Sequence, residues 1–208
     1  MTDVDVDADA DGEEQTIALL PGSRKQEIKD NLPMMLEAIE AFPEYHFVIA
    51  GAPGIEQEYY ETVITQNPKL KIQNPDIVFN ASYDILSHAT AALVTSGTAT
   101  LETALFGVPQ VVCYYTPIGK IISWLRKKIL KVKYISLVNL IVNRELVTEL
   151  VADTMTVSNI RTELRKILPD SPERQLMLDG YIDMKKELGT LNSAQQTAKL
   201  IIGALHLR

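Results

Sequence analysis

From residue 16 onward, short apolar runs alternate with longer segments of helical periodicity. Thr16–Leu20 is a near-continuous apolar run closed by Pro21-Gly22, which predicts a buried strand. Residues 25–42 follow with Ile28, Leu32, Met35, Leu36 and Ile39 on one face, a helical spacing. The alternation then repeats. Strands are predicted at 46–50, 77–79, 91–94 and 109–114, and helices at 55–65, 83–89 and 98–106. Gly51, Pro53-Gly54 and Gly107 supply the breaks between them. Beyond residue 143 the pattern reads as almost wholly helical.

Strand-then-helix repetition implies parallel strands joined by right-handed crossovers, with helices on both faces of the sheet. The strands carry few polar positions, as expected of a sheet buried on both sides. The predicted fold is therefore α/β: a Rossmann-like, doubly wound parallel sheet with a helical C-terminal extension. In such sheets ligands bind beyond the carboxyl ends of the strands. That rule selects the loops at 20–26, 51–54, 79–84, 94–100 and 114–119.

Composition narrows the class. The chain has 208 residues, 46% apolar and 23% charged, enough for a self-sufficient core. It has no run near the ~20 apolar residues that span a bilayer. Its acidic start is unlike a signal peptide, and its single cysteine, Cys113, allows neither an internal disulfide nor a cysteine metal cage. A cytoplasmic setting is expected.

The net charge of −7 has a local origin: residues 1–14 hold seven acids and no base, and the rest is balanced at 20 acids to 20 bases. Asp alternating with Val and Ala offers no face to pack, so 1–15 reads as a solvated acidic linker or chain end. Asp7, Asp9, Asp11 and Gly12 match part of a calcium loop, but the closing Glu is missing.

The loop Thr95-Ser96-Gly97-Thr98 runs from a buried strand into a helix that carries Glu102. A helix start presents unpaired amides and partial positive charge, and Gly97 allows close approach, so the loop suits a phosphate. The same residues would serve as an ordinary N-cap. Glu102, one turn in, could accept hydrogen bonds from a ribose diol. The loop Leu20-Pro21-Gly22-Ser23-Arg24 lacks the Gly-Lys-Ser/Thr ending of an ATP-binding loop. Arg24 could still clamp a diphosphate with its guanidinium fork.

A third feature is basic. Between Lys120 and Lys133 stand six bases and no acid, interleaved with Ile121, Ile122, Trp124, Leu125, Ile129 and Leu130. Trp124 with Arg126, Lys127 and Lys128 suits an anionic membrane surface, each base adding ~1 kcal/mol there; a core helix with a basic outer face is the plain alternative. The neutral body and the lack of a recognition motif argue against nucleic acid. His46, His88 and His206 are scattered, with no metal spacing and no catalytic-triad signature. No metal and no cofactor is expected.

Taken together, LLPGSRKQEI (19–28), VTSGTATLETALFGVPQVVCY (94–114), KYISLVNLI (133–141) and NRELVTEL (143–150) resemble the lipid-A-disaccharide synthases, a GT-B glycosyltransferase family. The resemblance implies transfer from UDP-2,3-diacylglucosamine to 2,3-diacylglucosamine 1-phosphate, giving lipid A disaccharide 1-phosphate and UDP. GT-B enzymes have two Rossmann-like halves, and this chain looks like the C-terminal, donor-binding one. On that basis Arg24 would meet the diphosphate, Ser96, Gly97 and Thr98 would cradle phosphate, Glu102 would hold ribose, and Asn139 would stand near the donor. The catalytic general base would lie in the N-terminal half.

The resemblance further implies a peripheral enzyme at the inner membrane of Gram-negative cells. Residues 16–190 would form the UDP-sugar domain. Residues 191–208 would form a helix packing on the other half or on a second chain, where Leu200, Ile201 and Leu205 could drive a homodimer. A UDP-N-acetylglucosamine epimerase or peptidoglycan glycosyltransferase shares the pattern Ser96, Gly97, Glu102, Gly107, Pro109; the 133–141 segment separates the two readings.

Overall fold

The computed structural model describes residues 15–71, 75–95, 97–115 and 133–190. The acidic stretch 1–14, Ser96, the basic residues Arg126, Lys127 and Lys128 with Trp124, and the segment 191–208 lie outside the described residues.

Six parallel strands form one sheet in the order β3-β2-β1-β4-β5-β6. They are β1 (Thr16–Leu20), β2 (His46–Gly51), β3 (Asp76–Phe79), β4 (Ala89–Val94), β5 (Gln110–Tyr114) and β6 (Glu149–Val151). The connecting helices are α1 (Lys25–Ile39), α2 (Gln57–Thr65), α3 (Ser82–His88), α4 (Thr98–Leu105) and α5 (Leu137–Val142), followed by α6 (Val157–Ile167) and α7 (Pro172–Thr190). This is the doubly wound arrangement expected, with the chain reversing direction across the sheet between β1 and β4.

Strand β1 shows why the sheet is buried on both sides. Ile17 and Leu19 enter a large cluster with Ile28, Leu32 and Ile160, while Ala18 and Leu20 join Leu86, Val94 and Val108 on the other face. Alternating side chains along one strand thus feed two helical layers. All five apolar positions that define the α1 stripe are buried, and the helix runs through Pro33 unbroken.

One expectation at the C-terminal end needs correction. The stretch beyond 143 is not wholly helical, because Glu149–Val151 adds an edge strand, pairing Val112 with Glu149 and Tyr114 with Val151. Val147, Leu150 and Val151 carry a helical spacing, which hides a strand only three residues long. The unassigned residues 137–142 form α5, stopped by Asn143 in the left-handed region at φ 47°.

Candidate functional site

The cavity that matters opens where β1 and β4 diverge. Leu20 pairs with Val94, and the Thr95 amide extends the ladder by one bond, donating to the Leu20 carbonyl at 2.9 Å. Beyond that point the two segments separate, one into residues 21–24 and the other toward the start of α4 at Gly97 and Thr98. Between them lies a cavity of about 610 Å³. A doubly wound sheet places its ligand crevice at such a reversal point.

Arg24, Gly97, Thr98 and Glu102 all line this cavity, so four of the residues singled out from sequence converge there. Arg24 is the N-cap residue of α1 and its side chain is 82% exposed. At rest its Nη1 lies 3.5 Å from Glu27 Oε1. Gly97 precedes α4 at φ 112°, a conformation that L side chains rarely adopt. Thr98 begins α4, whose first amides have no partner within the helix. Glu102 is half-buried and also borders an adjoining recess beside Asn80, Ser82 and Tyr83.

The walls are held by specific bonds. Tyr60 accepts the Ala52 amide at 2.8 Å and meets Phe79 edge-on at 5.8 Å between ring centroids. Burial pushes the Tyr60 phenol up, and the bond from Ala52 partly offsets that. Tyr59 donates to the Lys25 carbonyl at 2.8 Å, fixing the start of α1. In α4, Thr100 Oγ1 donates to the Gly97 carbonyl at 2.8 Å and accepts the Leu137 amide at 3.3 Å. Gln110, buried in β5, donates to the Thr100 carbonyl at 2.9 Å. The first turn of α4 is therefore tied to α5 and to the sheet.

Asn139 is elsewhere. It is fully buried in α5, and its amide has spent its hydrogen-bonding capacity within the chain. Its Oδ1 accepts the Leu146 and Val147 amides at 2.7 and 2.9 Å. Its Nδ2 donates to the Val147 carbonyl at 2.8 Å and to Glu149 Oε1 at 2.9 Å. Asn139 was expected near the donor; it does not line the cavity. Asn139 braces the turn between α5 and β6. Glu149 completes the brace, accepting the amides of Ile135 and Ser136.

Two cavity residues were missed in the sequence. Glu27, at the third position of α1, accepts the Ser23 amide at 3.0 Å; the spacing of an acid three residues after a helix cap was the available signal. Thr95 was quoted with its loop, but nothing in the sequence distinguished it from its hydroxyl-bearing neighbours. Among the described residues no group of three or more His, Cys, Asp or Glu side chains is placed to hold a metal ion.

Residues 5–201 match the family model described as lipid-A-disaccharide synthetase. The chain belongs to the lipid-A-disaccharide synthase family. It is 35% identical over 195 residues to the lipid-A-disaccharide synthase of Myxococcus xanthus (strain DK1622), covering 91% of this chain and 49% of that protein. With the enzyme of Gloeothece citriformis (strain PCC 7424) it shares 36% identity over 197 residues, covering 91% and 50%. The chain thus spans about half the length of the curated relatives it matches.

Among solved structures, the glycosyltransferase VinC in complex with DTDP superposes with a TM-score of 0.56 at 16% identity, over 93% of this chain and 42% of that one. UDP-GlcNAc 2-epimerase from Neisseria meningitidis gives 0.53 at 14% identity, over 92% and 45%. These likenesses establish the fold: one Rossmann-like half of the GT-B architecture.

Proposed function

We propose that this chain is the nucleotide-sugar half of a lipid-A-disaccharide synthase. Its cavity takes UDP-2,3-diacylglucosamine, whose sugar passes to 2,3-diacylglucosamine 1-phosphate, forming a lipid A disaccharide 1-phosphate and releasing UDP. The observation that carries this reading is the convergence of Arg24 and the Gly97–Thr98 helix start on one cavity, in a chain of this family.

Breaking the sugar–phosphate bond leaves negative charge on the departing diphosphate. A guanidinium and fixed helix-start amides stabilise that charge without reorganising. Arg24, held by Glu27 only through an exposed contact, turns to the phosphates, and Glu102 accepts hydrogen bonds from ribose hydroxyls. Ser96 joins the cradle on this reading. Asn139 acts behind it, keeping α5 in place.

The acceptor site and the base that takes the acceptor's proton belong to the remaining half of the full-length enzyme. The chain of 208 residues then binds donor without turnover. Residues 16–190 constitute the binding domain, 1–15 the linker, and 191–208 the element that meets the other half or a second copy. Among the described residues no helix is long and apolar enough to cross a membrane. Peripheral attachment through Trp124, Arg126, Lys127 and Lys128 is proposed from sequence, with charge reversal of the three bases abolishing binding to anionic vesicles.

Titration calorimetry and thermal unfolding with UDP test the central claim. UDP at 100 times its Kd stabilises the fold by about 2.7 kcal/mol. A chain whose unfolding is indifferent to millimolar UDP does not have this function.

A further inference from the structure

Thr95 is the last residue of the β1–β4 ladder and stands on the cavity floor, 1% exposed. Its amide is used by Leu20, yet its hydroxyl oxygen has no hydrogen-bond partner among the described residues. Other buried hydroxyls nearby are all engaged: Thr100 donates to the Gly97 carbonyl, Thr103 to the Ala99 carbonyl and Ser136 to Glu149. Only one other buried side-chain polar atom among the described residues is unpartnered, Gln110 Oε1, and Gln110 does not line the cavity. An unpaired buried hydroxyl is destabilising, whereas Val in its place would have nearly the same shape at no such cost.

Resting on the nucleotide-binding reading above, we propose that the Thr95 hydroxyl donates a hydrogen bond to a phosphate oxygen of the bound nucleoside diphosphate. Its surroundings select that group. Thr95 adjoins the open backbone of Gly97, where a Cβ would meet nothing within 4 Å, and the amide end of α4. Arg24 and the start of α4 line the same cavity and favour an anion there, against the carboxylates of Glu102 and of Glu27, which pairs with Arg24. Thr95 is β-branched and its χ1 is restricted, so the contact requires the hydroxyl to take the staggered position that faces the cavity. The Thr95 hydroxyl, without a partner among the described residues, is satisfied by the bound diphosphate.

Thr95→Val and Thr95→Ser, each measured for UDP affinity and for thermal stability without ligand, test this. The expected result is that Thr95→Val weakens UDP about tenfold while its ligand-free Tm is level or about 2 °C higher. Thr95→Ser keeps affinity within about twofold, since a hydroxyl donor remains. Three results would overturn the proposal. Thr95→Val could bind UDP as the parent does, which rejects the contact while leaving the nucleotide site intact. Its ligand-free Tm could fall, which would mean the hydroxyl serves the fold. The parent chain could fail to bind UDP, in which case the site reading fails and this contact with it.

Discussion

Glu27 grips both sides of the turn that presents Arg24: one carboxylate oxygen lies 3.5 Å from the Arg24 guanidinium, and the other accepts the Ser23 amide at 3.0 Å. The acid shapes the loop and, in the same geometry, competes with any anion for the cation. Removing its charge while keeping its acceptor separates the two roles. Glu27→Gln is expected to bind UDP a few-fold more tightly with little change in Tm, as an exposed ion pair contributes at most about 1 kcal/mol. Arg24→Ala is expected to weaken UDP by at least about tenfold. Calorimetry on the two variants reads both signs, and a weaker Glu27→Gln complex would contradict the competition.

Gly22 and Gly97 both adopt positive φ, 119° and 112°, yet they differ in what a side chain would meet. At Gly97 a methyl group points into open space, so Gly97→Ala carries backbone strain alone, about 1–3 kcal/mol. At Gly22 the added Cβ would lie 2.6 Å from Glu27 Cβ, so the same strain is joined by displacement of that side chain. Denaturant unfolding should rank Gly22→Ala as the more destabilised. Equal losses would mean that Glu27 does not pack over the turn.

Asn139 tests whether a polar residue near a site acts on the ligand or on the fold. Asn139→Ala strands the buried amide of Val147 and the part-buried amide of Leu146, which should cost about 2–4 kcal/mol in urea unfolding. At temperatures where the variant remains folded, UDP affinity should stay within about threefold of the parent, a modest change since Asn139 does not line the cavity. A variant of normal stability that fails to bind would restore the donor contact implied by the family resemblance.

Alkaline pH should weaken the fold through two buried acids. Burial raises the Cys113 thiol and the Tyr181 phenol above their ordinary values of 9.0 and 10.0, with the Gln110 bond partly offsetting the rise at Tyr181. The folded chain keeps these protons after the unfolded chain has lost them. Their contribution is thus complete below pH 9 and is lost as pH rises. Each pH unit above the thiol's ordinary value removes about 1.4 kcal/mol. Unfolding free energies between pH 8 and 10.5 should fall accordingly, and Cys113→Val should flatten the slope. A flat profile in the parent would show that the thiol titrates normally.

Much of the architecture was legible in the residues themselves. The apolar run of Thr16–Leu20 and the stripe Ile28, Leu32, Met35, Leu36, Ile39 each carry their period within a few turns of chain, and Pro21-Gly22 marks the junction. Arg24 and Gly97 were visible as candidates because each stands just outside a predicted helix. Strand β6 was not visible: three residues offer too short a period, and its partner β5 is more than thirty positions away.

The division has one physical cause. Apolar periodicity, turn residues and helix-start composition act over neighbouring positions, so the alternation of strands and helices up to β5, and the loops able to meet a ligand, were determined by the sequence alone. Hydrogen-bond satisfaction is settled by what arrives from distant parts of the chain. Asn139, inside α5, and Thr95, in the loop before α4, are both small polar residues, and neighbouring sequence does not say which partners each finds. Folding brings Asn139 the amides and carbonyl of the turn before β6, which saturate it, and leaves the buried Thr95 hydroxyl beside the cavity without a partner among the described residues. Which partners each side chain finds was decided by tertiary structure, because only packing brings distant groups to a buried polar atom.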